Sequence, residues 1–229
     1  MELEEALKRH GVSTESAASY RRLLDAWALE PDPHTAVAPE DAVDVHIADS
    51  LAALTFDELR QARAIADIGA GAGFPGLALA IALPDARVDL IESAGRKVAV
   101  IERLGAAAGV GNARAVRARV EEWAAAAGRG AYDVACARAV GPLAVLLEYA
   151  APLLTDGGAL IAWKGRRDPV EEAAGAEAAG ILGLELAEVR AVEPYPGSRE
   201  RHLHLYRKLR AAPERFPRRP GVAAKRPLA

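Results

Sequence analysis

The chain contains 229 residues, of which 51% are hydrophobic and 27% are charged, and it carries a formal net charge of −3 at pH 7. This length predicts one domain of ordinary size with room for a small appendage. A single cysteine, Cys136, excludes an internal disulfide and suits a reducing compartment. The chain has neither a signal-like beginning nor an apolar run near the roughly 18 residues that a membrane span needs. We therefore expect a soluble, cytoplasmic monomer.

The charge is distributed unevenly along the chain. Residues 199–229 contain ten lysines and arginines but only two acidic residues, Glu200 and Glu214, whereas the rest of the chain is acidic. A basic segment on an acidic body is typical of proteins that bind polyanions such as nucleic acids. A solvated tail without a partner is the alternative interpretation.

The first 58 residues have the apolar spacing of amphipathic helices. This periodicity predicts helices over residues 2–10, 14–29 and 39–54, with a proline-containing loop at 30–34. We expect these helices to form a small N-terminal cap, residues 1–58, ahead of the main domain.

From residue 64 onwards, apolar strands and amphipathic helices alternate. The predicted strands are 64–68, 87–92, 113–117, 132–137, 157–163, 184–193 and 202–207. The predicted helices between them are 74–83, 95–108, 120–127, 142–154 and 169–180. Repeated strand–helix units predict an α/β fold in which a mostly parallel sheet lies between two layers of helices. The last strand alternates polar and apolar residues, which favours an antiparallel insertion.

The predicted organisation has three parts. The helical cap is followed by an α/β domain over residues 59–210 and by a basic, proline-rich tail over residues 211–229. The prolines of the tail disfavour helix and strand, so we expect an extended conformation that displays its arginines.

The most informative segment, residues 66–82, reads ADIGAGAGFPGLALAIA. An apolar strand enters a loop with four glycines, at positions 69, 71, 73 and 76, and a helix leaves it. Glycines at this spacing let backbone amides approach a ligand closely, and the following helix offers its positive N-terminal end. The segment therefore predicts a site for a nucleotide-like cofactor.

Two interpretations of these glycines compete. Gly71, Gly73 and Gly76 fit the G-x-G-x-x-G fingerprint of dinucleotide-binding proteins, in which the loop holds a pyrophosphate. Asp67, however, places a carboxylate just before the loop, which would repel a pyrophosphate and attract the charged amino-acid end of S-adenosylmethionine. Glu92, at the end of the next strand, can hold the ribose hydroxyls of either cofactor. Asp67 therefore favours S-adenosylmethionine over a nicotinamide cofactor.

Several motifs occur together in the order typical of one family. They are His46-Ile-Ala-Asp49-Ser50-Leu51, the glycine loop with its Phe-Pro-Gly ending, Glu92-Ser93 with Lys97, Arg119-Val-Glu-Glu122, Ala137-Arg138-Ala139, Ala162-Trp-Lys164-Gly165, Arg201-His202-Leu203, and the basic segments 215–221 and 225–228. On these residues the chain resembles the RsmG (GidB) family of small-subunit rRNA guanine-N7 methyltransferases. It departs from the usual family pattern in the cap, where Ala28 follows Trp27 and Val45 precedes His46.

The resemblance implies a class I, Rossmann-like fold and transfer of a methyl group from S-adenosylmethionine to guanine N7, at nucleotide 527 of 16S rRNA. Because N7 carries a lone pair and no proton, the reaction needs alignment rather than a general base. The expected partner is 16S rRNA or a precursor of the small ribosomal subunit. No metal is expected, because His202 and His204 have no third ligand at a suitable spacing. The alternatives are a methyltransferase with another substrate and a non-catalytic, cofactor-binding ribosome-assembly factor.

The loop and the resemblance together assign the site residues. Those expected at the cofactor are Asp67, Gly69, Gly71, Gly73, Phe74, Glu92, Ser93, Val120, Glu121 and Arg138. Those expected at the RNA are His46, Asp49, Ser50, Lys164, Arg218, Arg219 and Lys225. Arg138 is the positioning side chain, able to bind the cofactor carboxylate or guanine O6, with a surface salt bridge to Asp133 or Glu148 as its alternative role. His46 and Asp49 can either line the guanine pocket or pin the cap to the main domain.

Overall fold

The N-terminal part of the protein is helical but irregular. The computed structural model describes residues 1–31 and 37–229, so part of the predicted loop 30–34 lies outside the described residues. The α-helices here are α1 (Leu3–Arg9), α2 (Ala17–Ala28), α3 (Asp49–Leu51) and α4 (Asp57–Arg60). The 3-10 turns are Thr14–Ser16, Pro39–Asp41 and Ala52–Thr55, and Val43–Ala48 is a π-helix.

The prediction of one continuous helix over residues 39–54 is wrong. The chain passes there from a 3-10 turn through the π-helix into the single turn of α3 and then into another 3-10 turn. The hydroxyl of Ser50 donates to the carbonyl of His46 at 2.6 Å, which is the type of side-chain bond that competes with regular helical bonding. Helical turns of the π type are rare and occur frequently at functional sites.

The predicted strands and helices from residue 64 onwards are all present. The strands are β1 (Ala64–Ile68), β2 (Arg87–Glu92), β3 (Ala113–Arg117), β4 (Tyr132–Arg138), β5 (Leu154–Lys164), β6 (Leu184–Val192) and β7 (Arg201–Lys208). The helices are α5 (Gly76–Ala82), α6 (Gly95–Ala108), α7 (Val120–Ala124), α8 (Leu143–Ala150) and α9 (Pro169–Leu182). In the described part of the chain, no helix is long and apolar enough to cross a membrane.

The seven strands form one sheet in the order β3-β2-β1-β4-β5-β7-β6. Strands β1 to β5 are parallel, and β7 runs antiparallel to both β5 and β6, which confirms the predicted antiparallel insertion. Strand β1 has β2 on one side and β4 on the other, so the order of the strands reverses at β1. Sheets of this kind bind ligands outside the carboxyl ends of the strands at such a switch point.

The cap shares a buried apolar cluster with one face of the sheet. Tyr20 and Trp27 of α2 lie in this cluster together with Leu77 of α5 and Ile101 of α6. The hydroxyl of Tyr20 also donates to the carbonyl of Ala78 at 2.8 Å. A second cluster fills the opposite face beneath α7, α8 and α9. The predicted boundaries after residues 58 and 210 stay predictions.

The basic tail packs against the main domain, and the prediction that it is extended throughout is wrong. Residues 222–225 form the short helix α10 (Val222–Lys225), which follows Gly221 at a φ of +78°. Pro220 and Pro227 lie outside this helix, so they bound it without interrupting it. Phe216 is 1% exposed and belongs to the second apolar cluster.

Replacing Tyr20 tests how much its buried hydrogen bond stabilises the junction between the cap and the main domain. Tyr20→Phe should lower the free energy of unfolding by about 1 kcal/mol, because it removes a buried hydrogen bond, and urea denaturation measures the change. Tyr206→Phe is the matched control: Tyr206 is as deeply buried, but its hydroxyl has no hydrogen-bond partner among the described residues. We expect no loss in the control. Equal losses in both variants would contradict a specific role for the Tyr20 bond.

Candidate functional site

A tight loop between β1 and α5 forms the floor of the site. Gly69, Gly71 and Gly73 have φ values of +66°, +59° and +98°, a conformation that side chains rarely adopt. A Cβ on Gly69 would lie 2.9 Å from Cγ2 of Val140, and one on Gly73 would lie 2.7 Å from Cδ1 of Leu77. The glycines are therefore required by backbone conformation and, at positions 69 and 73, by close packing.

The carboxylate of Asp67 lies beneath this loop. Asp67 is 1% exposed, and its Oδ2 accepts the amide N–H of Gly76 at 2.8 Å. A Cβ on Gly76 would come within 2.6 Å of the same oxygen, so only glycine fits there. The other oxygen, Oδ1, is buried without a hydrogen-bond partner among the described residues. Burial raises the pKa of Asp67 to about 7, because desolvation disfavours the charged form.

This position corrects two expectations about the loop. Asp67 lines neither of the cavities described below, so we expect any effect on a ligand to come from its charge and not from surface contact. The amide of Gly76, at the start of α5, is bound to Asp67, and the amide of Leu77 donates to the carbonyl of Gly73. These first amides of α5 are therefore not offered to a ligand, contrary to the prediction.

Two adjacent cavities form a crevice at the switch point of the sheet. The larger has a volume of about 540 Å³ and lies between the glycine loop, the end of β4 and the cap. The smaller has a volume of about 290 Å³ and lies at the ends of β2 and β3. Gly69 and Gly141 line both cavities, so one extended ligand can pass from one to the other beside the glycine loop.

The smaller cavity is lined by five of the predicted cofactor residues: Gly69, Glu92, Ser93, Val120 and Glu121. The carboxylate of Glu92 accepts the amides of Gly71 at 3.1 Å and Ala94 at 2.8 Å, which fixes its orientation. Oε1 of Glu121 accepts the amide of Gly221 at 2.7 Å, so this carboxylate is bound by the tail. Most of the remaining wall is apolar. A fixed carboxylate beside apolar walls suits the diol and the flat base of a nucleoside.

Arg138 joins the end of β4 to the cap at the larger cavity. Its Nη1 donates to the carbonyl of Val45 at 2.9 Å and to Oδ2 of Asp49 at 2.8 Å. The alternative salt bridge of Arg138 with Asp133 or Glu148 is therefore wrong. Both Arg138 and Asp49 line the cavity, so the pair is part of its wall and also pins the cap to the sheet.

His46 lies between two aromatic rings on the cap side of the larger cavity. Phe74 stacks on the imidazole with ring centroids 4.3 Å apart, and Trp27 contacts its edge at 4.7 Å. His46 is 3% exposed, and neither ring nitrogen has a hydrogen-bond partner among the described residues. Burial, together with the charge of Arg138, lowers the pKa of His46 to about 4. The imidazole is therefore neutral at neutral pH.

The other residues predicted to bind RNA lie in different environments. Lys164 lines the larger cavity, and its ammonium contacts Oε1 of Glu171 at 2.5 Å. Ser50 is fully buried, with its hydroxyl bonded to His46, which leaves no surface for the predicted contact with RNA. Three residues lie on the tail and line neither cavity: Arg218, Arg219 and Lys225.

Some residues of the crevice were missed by sequence reasoning. Lys97, Arg201 and His202 line the larger cavity, and Ala224 and Pro227 of the tail line the smaller one. The first three belong to motifs of the family resemblance, which is the signal that could have found them. The two tail residues have no polar or ionisable group that could have marked them as site residues. Within residues 1–31 and 37–229, no group of three His, Cys, Asp or Glu side chains is placed to hold a metal ion.

The sheet order, the antiparallel β7 and the glycine loop at the switch point define a class I, Rossmann-like methyltransferase fold. The solved structure of fibrillarin from Aeropyrum pernix, with bound S-adenosyl-L-methionine, shares this fold with a TM-score of 0.55 and 17% sequence identity, covering 69% of this chain and 72% of that one. The family model of GidB, rRNA small subunit methyltransferase G, matches residues 13–203.

Individual relatives match over nearly the whole chain. Ribosomal RNA small subunit methyltransferase G of Rubrobacter xylanophilus is 38% identical over 242 residues, covering 95% of this chain and 93% of the relative. The protein of the same name from Chloroflexus aggregans is 39% identical, covering 95% and 92%. The chain belongs to the rRNA small subunit methyltransferase G family. The predicted family, fold class and enzyme class are confirmed.

The raised pKa of Asp67 predicts a pH-dependent stability. The folded protein holds this proton more tightly than the unfolded chain, so the resulting stabilisation is present at low pH and is lost as the pH rises towards about 7. Asp67→Asn keeps an oxygen that can accept the Gly76 amide but removes the charge. Urea denaturation should therefore show the variant gaining stability relative to the wild type as the pH rises from about 4 to about 7. A difference that does not change with pH would show that Asp67 does not titrate in this range.

Proposed function

We propose that this protein transfers a methyl group from S-adenosylmethionine to N7 of a guanine in 16S rRNA, at nucleotide 527. The observation that carries the proposal is the crevice, in which a nucleoside-sized cavity joins a cavity bearing Arg138 beside the glycine loop. When bound, S-adenosylmethionine supplies an electrophilic methyl group on a sulfonium. The residues of the crevice supply binding and alignment.

The smaller cavity suits the adenosine half of the cofactor. Glu92, held by two backbone amides, can accept the ribose hydroxyls, and Val120 gives an apolar surface for the base. Gly69 lets the backbone approach the ligand closely at the junction of the cavities. Beneath the loop, the unpartnered oxygen of Asp67 gives a negative potential that favours a cationic amino-acid end over a pyrophosphate.

The larger cavity suits a guanine base. Arg138 uses one nitrogen to hold the cap, and its remaining N–H groups are available for the cofactor carboxylate or for the O6 and N7 face of guanine. His46 and Phe74 form a stacked pair of rings in the same wall, and flipped bases bind against aromatic surfaces of this kind. His46 is a weak base and Asp49 is engaged by Arg138, which fits a reaction that removes no proton from its nucleophile.

The basic residues at the larger cavity support a nucleic-acid substrate. Lys97, Lys164 and Arg201 all line it, although Lys164 is paired with Glu171. Within the described residues, the side chain of Lys97 makes no hydrogen bond or ion pair, so its charge is available to a phosphate. Contacts of this kind position the RNA backbone while the cavity selects the base. The proposed partner is 16S rRNA or a precursor of the small ribosomal subunit.

Direct mapping of the product tests the proposal. The purified protein is incubated with S-adenosylmethionine and with small subunits or bare 16S rRNA from a strain that lacks the modification, and the RNA is mapped by mass spectrometry. We expect one added methyl group, on N7 of guanine 527. Methylation at another position would reject the assigned nucleotide. Cofactor binding without any transfer to either RNA would favour the assembly-factor alternative.

Replacing Arg138 tests its role in alignment. Arg138→Lys keeps a positive charge but loses the planar fork that can bind the cap and a ligand together. We expect kcat to fall about 100-fold, since a displacement of about 1 Å at a reacting centre has effects of this size. Arg166→Lys is the control, because Arg166 is an exposed arginine paired with Glu200. Similar activity of the two variants in a methyl-transfer assay would show that Arg138 has no role in alignment.

A further inference from the structure

We propose that the C-terminal tail, residues 211–229, forms a wall of the S-adenosylmethionine site and controls the affinity for the cofactor in the absence of RNA. The inference rests on the proposed function only for the place of the adenosine half in the smaller cavity. Two tail residues, Ala224 and Pro227, line that cavity together with residues at the ends of β2 and β3. The tail thus covers the position assigned to the cofactor.

A buried ion pair anchors the tail. Nε of Arg218 donates to Oε1 of Glu148 at 2.7 Å, and Glu148, on α8, is only 2% exposed. Arg218 also donates to the carbonyl of Arg226 at 2.8 Å, which closes the tail into a loop around α10. Removing one partner of a buried ion pair leaves an uncompensated charge, so this contact holds the tail in one position.

Apolar packing supplies a second anchor. The Phe216 ring and Ala223 of α10 are each 1% exposed. The carbonyl of Phe216 accepts Nη2 of Arg129 at 2.9 Å. The tail is therefore fixed both before and within the segment that reaches the cavity, which is inconsistent with a free basic arm.

The tail is also bonded to a predicted cofactor residue. The amide of Gly221 donates to Oε1 of Glu121 at 2.7 Å, and Glu121 lines the smaller cavity. The tail thereby fixes the orientation of Glu121, at the start of α7, as well as covering the cavity. Arg218 is a positioning residue in this arrangement, because it acts on the cofactor through the tail.

The chain offers a matched pair of arginines to separate this role from RNA binding. Arg218 is partly buried and paired, whereas the neighbouring Arg219 is exposed and its side chain makes no hydrogen bond or ion pair within the described residues. An RNA-binding arm would use both charges in the same way. Of these two arginines, only Arg218 contributes to a structural wall.

Isothermal titration calorimetry with S-adenosylmethionine and with S-adenosylhomocysteine, without RNA, provides the test. We expect Arg218→Met to weaken binding of both by about tenfold or more, because the wall loses its buried anchor, and Arg219→Met to leave the dissociation constants unchanged. Thermal melting without ligand establishes that both variants are folded. In methylation assays, Arg218→Met should raise KM for the cofactor more than KM for the RNA.

A second variant leaves the anchor intact. Ala224→Trp places a large ring at the cavity wall and keeps both Arg218 and Glu148, and it should weaken cofactor binding by at least tenfold. Cofactor should also protect the wild-type tail from tryptic cleavage after Lys225, which is exposed. Unchanged cofactor affinity in both Arg218→Met and Ala224→Trp, with wild-type binding intact, would overturn the inference. Failure of the wild type to bind either compound would instead reject the proposed function.

Discussion

A buried carboxylate at the end of the central strand fixes the loop on which the site depends. Asp67 binds the amide of Gly76. Because Gly76 has no side chain, α5 can begin in close contact with β1. The loop between them then turns through positive φ and places Gly69 where the two cavities meet. Because desolvation raises the pKa of Asp67, ionisation costs free energy in the folded protein, and a cation above the loop offsets that cost. The same buried group therefore shapes the loop and favours a sulfonium amino acid over a diphosphate.

The opposite side of the crevice depends on the junction between cap and sheet. Asp49 and the carbonyl of Val45 bind Arg138, and the indole N–H of Trp163 donates to the carbonyl of Asp49 at 2.8 Å. These contacts hold the π-helix against the ends of β4 and β5, which brings His46 over the larger cavity. Asp49 therefore both pins the cap and lines the larger cavity, and His46 lines the same cavity. Because the pocket wall comes partly from the cap, movement of the cap would change the shape of the pocket.

The sheet could be predicted from the sequence because its strands are short apolar runs separated by amphipathic helices, and both patterns are local. The irregular segment 39–54 could not, since its turns depend on side chains such as Ser50 binding nearby carbonyls. The glycine loop was recognised from spacing alone, but the burial of Asp67 was not, because burial depends on how α5 packs over β1. The partner of Arg138 was missed for a similar reason: Asp49 is 89 residues away in the chain, and only the folded cap brings it near. The position of the tail likewise depends on long-range bonds that no local pattern shows.

The distribution of charge in the fold differs from its distribution in the sequence. The basic C-terminal segment looks like a single arm for polyanions, yet Arg207 is paired with Glu58 and Arg218 with Glu148. Acidic residues of the body thus neutralise part of the charge of residues 199–229, and the pair of Arg218 with Glu148 holds the tail on the domain. Lys97, far from the tail in sequence, keeps its charge at the larger cavity. This side chain lines the larger cavity, so under the proposed function its charge would be available to the phosphates flanking a guanine, in addition to exposed arginines of the tail such as Arg219.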